Sequence, residues 1–484
     1  MAVQPCLPTV RQREVVFWRG YVALDQSKTL SRKLRGPSAL LAISNWRQGL
    51  FVETPSCQAT AGSRRLRMVD AEAKPVIEGD PERFEGSFTQ QEPIPEIAIE
   101  CAVEMMRSGR LHRYNTGPGE ESEASALERE YAAWQGSKYC LACSSGGYAL
   151  HIALRALGLK PGEKVLANAW TLAPVPGAIH AAGGVPVFVE IDRNWHIDIG
   201  DFRSKAASSG SKVLMLSHMR GHIVDMDAIS TVCDELGIAI VEDCAHTMGA
   251  RWEGVRSGNF GRVACFSAQT YKHLNSGEGG LLTTDDPDIA ARAVIMSGSY
   301  MLYERHGAIP GKDAFDKVRL VTPNYSGRMD NLRAAILRVQ LSNLDDNIQR
   351  WNVRYRILEE GLQSATGIDV VNRHQHEAFV GSSIQFHVTG IGSDRIPDFV
   401  ERCATRGVEI KWFGVADPVA FTSRYDSWRY LDDLPELPQT LDVLSTTCDM
   451  RIPLTFDEND CRKIGRIITD VISEFQAPAI QHKG

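Results

Sequence analysis

The chain of 484 residues contains no apolar run approaching the roughly 20 residues that a membrane-crossing helix requires. It also has no basic excess: 53 Lys and Arg stand against 60 Asp and Glu, a net charge of −7. A general nucleic-acid binder presents a basic face to phosphates, so neither nucleic acid nor membrane is an expected partner. Small molecules or other proteins are. Paired cysteine motifs are nearly absent as well. The eleven cysteines are odd in number and scattered singly, which suits a reducing compartment and not a secreted disulfide scaffold. Only Cys140-Leu-Ala-Cys143 has redox or metal spacing, and no second pair completes a tetrahedral site. Both cysteines are expected to be small buried hydrophobes on or beside a strand, and no metal is expected. His374-Gln-His376 reads as a solvated loop. Repeats and low-complexity tracts are missing, and the composition, 43% hydrophobic and 23% charged, is that of an ordinary globular protein.

Charge is unevenly placed. Residues 1–67 carry eleven Lys and Arg against three Asp and Glu, a net of +8, which leaves −15 for the remainder. Arg-rich, acid-poor and sprinkled with Ser and Leu, this segment reads either as an organellar transit peptide or as an extension packed on the core. The expected location is cytoplasmic, with an organelle as the alternative if residues 1–67 act as a transit segment. From about residue 95 helical spacing sets in, as in EIAIECAVEMMRSGR and ASALEREYAAWQG. The runs YCLAC, KVLAN, VPVFVEI, KVLML, IAIVED, VACFS and GLLTT then read as buried strands interleaved with helices. Such alternation predicts an α/β fold, a mostly parallel seven-stranded sheet sandwiched by helices. Near residue 325 the pattern gives way to one long helical stretch, RMDNLRAAILRVQLSNLDDNIQRWNVRYRILEEGL, followed by the strands IQFHV and VEIKW and a closing helix. The expected organisation is an N-terminal extension over 1–90, a large α/β domain over 91–325 and a smaller C-terminal α+β domain over 326–484.

Three stretches carry candidate chemistry. In Ser144-Ser-Gly-Gly-Tyr-Ala-Leu-His151 two glycines, Gly146 and Gly147, join a strand to a helix. The bare N–H groups and dipole of such a helix start favour an anion such as phosphate, although a tight turn alone has the same sequence. Ile240-Val-Glu-Asp-Cys-Ala-His246 ends an apolar strand in an acid, with a histidine three residues on. Asp243 is there either a helix N-cap or an acid facing the crevice where α/β folds bind ligands. In CFSAQTYKHLNSGEGG a single lysine, Lys272, sits between a strand and tight Gly turns. That is a solvated loop lysine, or one whose amine forms a Schiff base. A phosphate loop, a strand-end Asp and a Lys about 30 residues later together supply what pyridoxal phosphate requires.

From about residue 96 to 475 the chain resembles the DegT/DnrJ/EryC1/StrS family of fold type I pyridoxal-phosphate enzymes, mainly aminotransferases acting on keto sugars and cyclitols. The resemblance is carried by CSSGGYALHIAL, PGEKVLANAWTLAPVPGAIHAAGGVPVFVEID, VEDCAH, GNFGRVACFS, YKHLNSGEGG and NYSGRMDNLRAAIL, in family order. It implies the Schiff-base role for Lys272, pairing with the pyridine nitrogen for Asp243, and a place near the cofactor's phenolic oxygen for His246. Trp170 falls on the aromatic that stacks on the cofactor ring, or is a core tryptophan. Gly146 and Gly147 match the phosphate loop, with Gly147 where the family usually has Thr, and Ser267 matches a phosphate-binding serine. Asn324 matches an asparagine that reaches the phosphate of the neighbouring subunit, which implies a homodimer with a shared active site. Two further departures stand out: Arg220 in His218-Met-Arg-Gly221 replaces an aromatic, and Ser326-Gly327 intervenes before Arg328.

The function so implied is an aminotransferase moving an amino group from an amino acid, glutamate or glutamine, to a keto sugar or keto cyclitol. Lys272 would act as base and acid in the proton shift, and its presence argues against the family's sugar dehydratases. The alternatives are a lyase or condensation on an amino-acid substrate, which needs the same cofactor residues, and a cofactor-binding regulatory protein without turnover.

Overall fold

The computed structural model describes residues 81–432 and 434–476; the expectations for residues 1–67 fall outside them. All seven apolar runs become strands of one sheet: β1 (Tyr139–Cys143), β2 (Lys164–Asn168), β3 (Val185–Val189), β4 (Val213–Ser217) and β5 (Ala239–Asp243), then, beyond a short hairpin of β6 (Arg251–Trp252) and β7 (Val255–Arg256), β8 (Val263–Ser267) and β9 (Gly280–Thr284). The order across the sheet is β1-β9-β8-β5-β4-β2-β3. Strands β3, β2, β4, β5 and β8 run parallel, whereas β9 runs against both β8 and β1. Six of the seven strands therefore end on the same edge.

Strand residues alternate between two cores, one on each face of the sheet. Leu166, Leu214, Leu216 and Phe266 enter one cluster; Val165, Met215, Val241 and Cys265 enter the other. Burial of both faces is what makes each strand a continuous apolar run. The same alternation settles the Cys140–Cys143 pair. An odd separation along β1 sends Cys140 to one face and Cys143 to the other, so they share neither a disulfide nor a metal. Burial raises both thiols, that of Cys143 to about 12.

The long helical stretch is two helices, Asn331–Ser342 and Leu344–Gln363, separated at Asn343 (φ −104°, ψ 1°). The Asn343 N–H turns back to the carbonyl of Gln340 at 3.1 Å, a tighter bond than helix continuation needs, and Asn is a residue that readily leaves helical geometry. The first helix packs on Glu96–Ser108 and Glu123–Gln135; the second packs on the closing helix Glu458–Gln476. Thus the chain passes from the large sheet's helical layer to the helices beside the second, four-stranded sheet at Asn343, inside the stretch expected to be one helix.

Beyond it, β10 (Ile368–Asp369), β12 (Ser383–Val388), β13 (Lys411–Trp412) and β14 (Thr447–Arg451) form an antiparallel sheet in the order β10-β12-β14-β13, while β11 (Glu377–Ala378) joins the β6–β7 hairpin. The run IQFHV falls on β12, whereas only the last two residues of VEIKW form β13. Strand β14, TCDMR, carries no apolar run, yet its first four residues are buried. Phe84 and Phe88, from the end of the 1–90 segment, pack on Phe456 in the core beneath this antiparallel sheet at 4.9 Å between ring centroids. No helix among the described residues is long and apolar enough to cross a membrane.

Candidate active site

The sheet edge at which six strands end opens on a cavity of about 580 Å³. Asp243 ends β5, and the parallel register sets Ser217, the last residue of β4, opposite it. The Ser217 hydroxyl donates to Asp243 Oδ2 at 2.9 Å and accepts from the Thr171 hydroxyl, also at 2.9 Å. The Ala245 N–H donates to Asp243 Oδ1 at 3.2 Å. No helix follows Asp243, so the N-cap reading fails. Its carboxylate is instead oriented from one side by a hydroxyl chain and faces the cavity with the other.

One position earlier, Glu242 is buried and secures a loop. Its oxygens accept from the N–H groups of Gly258, Phe260 and Gly261 at 2.8, 2.8 and 2.6 Å. That fixes the start of β8 and, through it, Ser267 and the lysine loop. His218, Glu242 and Cys244 each bring a ligand-type atom within 4.8 Å of the others, but these bonds already engage both carboxylate oxygens.

Lys272 sits in a turn closed by Ala268 N–H to the Gly279 carbonyl, Lys272 N–H to that of Gln269 and Ser276 N–H to that of Ala268. Its Nζ lies 2.6 Å from His246 Nε2. The Arg220 backbone N–H donates to His246 Nδ1 at 3.0 Å, so in the neutral ring the proton resides on Nε2. That N–H points at the lysine, which can accept it only as a free amine. Burial, and then the nearby Arg220 charge, bring the Lys272 pKa down to about 7, with Asp243 opposing. Burial and the lysine likewise hold His246 well below its usual range. The structure thus joins an amine that sheds its proton near neutral pH to an uncharged imidazole.

The glycine-started helix expected to form a phosphate loop opens on the cavity. Ser145 caps the 12-residue helix Gly146–Leu157, its hydroxyl accepting from Tyr148 N–H. A Cβ on Gly146 would meet Ser267 Cβ at 2.9 Å and the Phe266 carbonyl at 3.3 Å, so a side chain there would displace the serine from the helix start. Gly146, Gly147 and Ser267 all line the cavity.

Two expected site residues do not face it. Trp170 is 1% exposed and packs edge-on to Phe413 at 5.5 Å between centroids, beside Trp195. The cause is the turn after β2: the Asn168 side-chain amide donates to the carbonyls of Trp170 and Ser217 at 2.8 and 3.1 Å, rotating Trp170 into the interior. Leu172, two residues on, lines the cavity with Ala173 and Pro174; the stacking role expected of Trp170 is corrected to a core role. Asn324 lies exposed on a surface loop, its side-chain oxygen accepting from Ser326 N–H at 2.9 Å, and reaches no part of its own chain's cavity. Arg328 also points elsewhere, to the Gly298 carbonyl at 3.0 Å. Residues that sequence reasoning missed are Ser217, Leu172, Tyr271 and Arg451, all on the cavity wall. Only Tyr271, adjacent to Lys272, had a signal in the motif.

A strand-end acid, a desolvated lysine and a glycine-lined helix start around one cavity define a pyridoxal-phosphate enzyme of fold type I. The sequence profile of the DegT/DnrJ/EryC1/StrS aminotransferase family matches residues 97–468, and the chain belongs to that family. It is 30% identical over 299 residues to the 3-amino-5-hydroxybenzoate synthase of Amycolatopsis mediterranei, covering 59% of this chain and 72% of that protein. To the GDP-perosamine synthase of Caulobacter vibrioides it is 33% identical over 223 residues, covering 46% of this chain and 57% of the relative. Among solved structures, a Streptococcus pneumoniae protein described as a sugar aminotransferase in its PLP form superposes with a TM-score of 0.67 at 19% identity, over 81% of this chain and 99% of that one. Its PMP form gives 0.69.

The cofactor of the family fits these residues. Gly146, Gly147 and Ser267 would hold its phosphate, Asp243 its pyridine nitrogen and Lys272 its aldehyde; Leu172 and Ala245 supply apolar wall beside them. When bound, the group supplies an electron sink for the carbon that loses a proton.

Proposed function

We propose that this enzyme transfers an amino group from glutamate or glutamine to the ketone of a keto sugar or keto cyclitol. The observation that carries the reading is the Lys272 amine held 2.6 Å from His246. Freed when the amino donor arrives, this amine would take a proton from the substrate carbon and return it two atoms away, across the transferred nitrogen, a task for which a pKa of about 7 is matched. Asp243 keeps its orientation through Ser217 and Ala245 during the transfer, and the apolar wall at Leu172 excludes water from the reacting face. The polyhydroxylated acceptor is supported by the relatives, whose names include a GDP-perosamine synthase.

The assembly proposed is a homodimer with shared sites. Exposed Tyr300, Met301, Leu320, Val321 and Tyr325 surround the loop that carries Asn324, and such a patch on the surface fits burial against a second copy. The deciding experiment loads the protein with pyridoxal phosphate and follows half-reactions spectrally, first with a panel of amino donors and then with keto acceptors. Amino transfer to ring ketones is expected; loss of a leaving group or carbon–carbon bond formation without amino transfer would establish the lyase or condensation instead.

A further inference from the structure

Arg220 stands where the cavity has no ordinary use for it. Its backbone is left-handed, φ 56° and ψ 22°, a conformation that costs a branched or long side chain about 1 kcal/mol or more and survives only when its surroundings impose it. The residue is 7% exposed and lines the cavity. Nη2 lies 3.1 Å from Asp449 Oδ2, but without the angle of a hydrogen bond, and both Nε and Nη2 lack a hydrogen-bond partner among the described residues. A buried guanidinium with unpaired N–H groups is expensive unless an anion completes it.

A second cation shares the wall. The Arg451 guanidinium, at the end of β14, stacks on the Tyr271 ring at 3.6 Å and is in no ion pair among the described residues. Asp449 is the acid whose charge acts on Arg451 and which lies beside Arg220, and Lys411 also draws on it at 3.9 Å. Repulsion is evident: Arg220 is, after burial, the strongest influence lowering Arg451. Of the other acids lining the cavity, Asp243 acts on Lys272 and Glu278 is exposed, and neither forms an ion pair with Arg220 or Arg451 among the described residues.

We propose that Arg220 and Arg451 together grip a carboxylate of the keto acceptor, so that the acceptor is a ring ketone bearing an acid group close to the reacting carbon. This rests on the transamination reading above. Donor and acceptor occupy the cavity in turn. A guanidinium pair filled by the donor's carboxylate would stand empty when a neutral acceptor replaced it; an acidic acceptor removes the mismatch. The position favours an anion near the reacting carbon over a distant diphosphate. The Arg220 guanidinium, 3.1 Å from Asp449, and that of Arg451 belong to residues lining the same cavity as Lys272, and both charges act on the lysine, so an anion held between them lies close to the carbon that Lys272 serves. Two planar forks also suit a flat carboxylate better than a lysine would.

The test uses holoenzyme and a pair of non-nucleotide probes, 3-oxocyclohexanecarboxylate and its carboxamide, titrated calorimetrically. Wild type is expected to bind the acid about tenfold or more tightly than the amide, the size of one charge-assisted contact. R451Q and R220Q are expected to erase this preference without weakening cofactor affinity, while R220Q, which removes a charge that lowers Lys272, is expected to move the pH at which the cofactor's absorbance changes. R220Q strands buried Asp449 and can fail to fold; R451Q breaks no ion pair and then carries the test. Equal binding of acid and amide by wild type, or a preference that survives in R451Q, overturns the proposal. So does loss of cofactor affinity alone, which would give the pair to the phosphate, and so does a rise in the glutamate KM with acid-probe binding intact, which would give it to the donor. Binding needs no turnover, so failure here is separate from failure of amino transfer.

Discussion

Lys272 Nζ accepts from His246 Nε2 at 2.6 Å because the Arg220 backbone N–H, at 3.0 Å, leaves the imidazole proton nowhere else to reside. One peptide group thereby sets the protonation of the amine. The consequence is readable in pH. With its pKa near 7, Lys272 is protonated below and free above that value, whereas an ordinary lysine is free only above about 10.4. Capture of pyridoxal phosphate by apoprotein, followed by absorbance, should accelerate as pH rises through about 7 and then level off. Replacing His246 by Phe removes the donor that favours the free amine and should move the midpoint upward. A midpoint near that of free lysine in wild type would show the amine to be solvated.

Borohydride reduction of the yellow holoenzyme should fix the cofactor to Lys272 alone. Of the lysines in the described residues, this is the one that lines the cavity. Peptide mapping that placed the reduced cofactor elsewhere would remove the assignment. Lys272→Ala should retain fold and lose amino transfer.

Asp243→Asn should leave folding and cofactor capture largely intact and slow amino transfer by about 100-fold or more, as loss of a charge-assisted contact of about 3 kcal/mol implies. Ser217→Ala should cost less, about tenfold, because it loosens the carboxylate without neutralising it. Single-turnover rates separate the two. If Asp243→Asn ran at wild-type speed, the acid would be structural.

Trp170 and Leu172 exchange the roles their residue types suggest. Trp170→Ala should destabilise the fold by about 3–5 kcal/mol, as loss of a buried aromatic does, while molecules that remain folded keep the cofactor spectrum. Leu172→Ala should cost less stability and weaken cofactor binding. Denaturant melts alongside spectral titration distinguish them.

These two residues also mark where sequence reading stops. The seven sheet strands were legible because burial on both faces turns each into an unbroken apolar run. Asp243 at the end of β5 and Lys272 in the turn beyond β8 were legible as cavity residues because a lone acid and a lone lysine stand out beside apolar strands. Ser217 was not, since its partner lies one strand away and only the register of β4 against β5 brings them together. Strand β14 escaped because TCDMR buries polar groups against neighbours distant in sequence: Asp449 meets the Gln385 amide at 2.8 Å. Trp170 misled because its residue type suggested a ring to stack, while the Asn168 amide bonds that turn it inward have no sequence signature.

The shared site is the strongest demand on assembly. Asn324 is exposed and points away from its own cavity, so if it binds the cofactor phosphate it must do so as Asn324 of the partner subunit. A purely local role, capping its own loop through Ser326 N–H at 2.9 Å, is the alternative. An obligate two-fold interface would bury beyond roughly 2,000 Å² and leave little monomer. Asn324→Ala should then lower cofactor affinity although the residue touches nothing in its own site. Lys272→Ala chains mixed with Asn324→Ala chains form heterodimers in which one site has both residues intact and the other neither. Such heterodimers should regain about half the wild-type activity per dimer, because two-fold symmetry makes the sites equivalent. Verified heterodimers with no recovery, or a fully active monomer, would place every catalytic group within one chain.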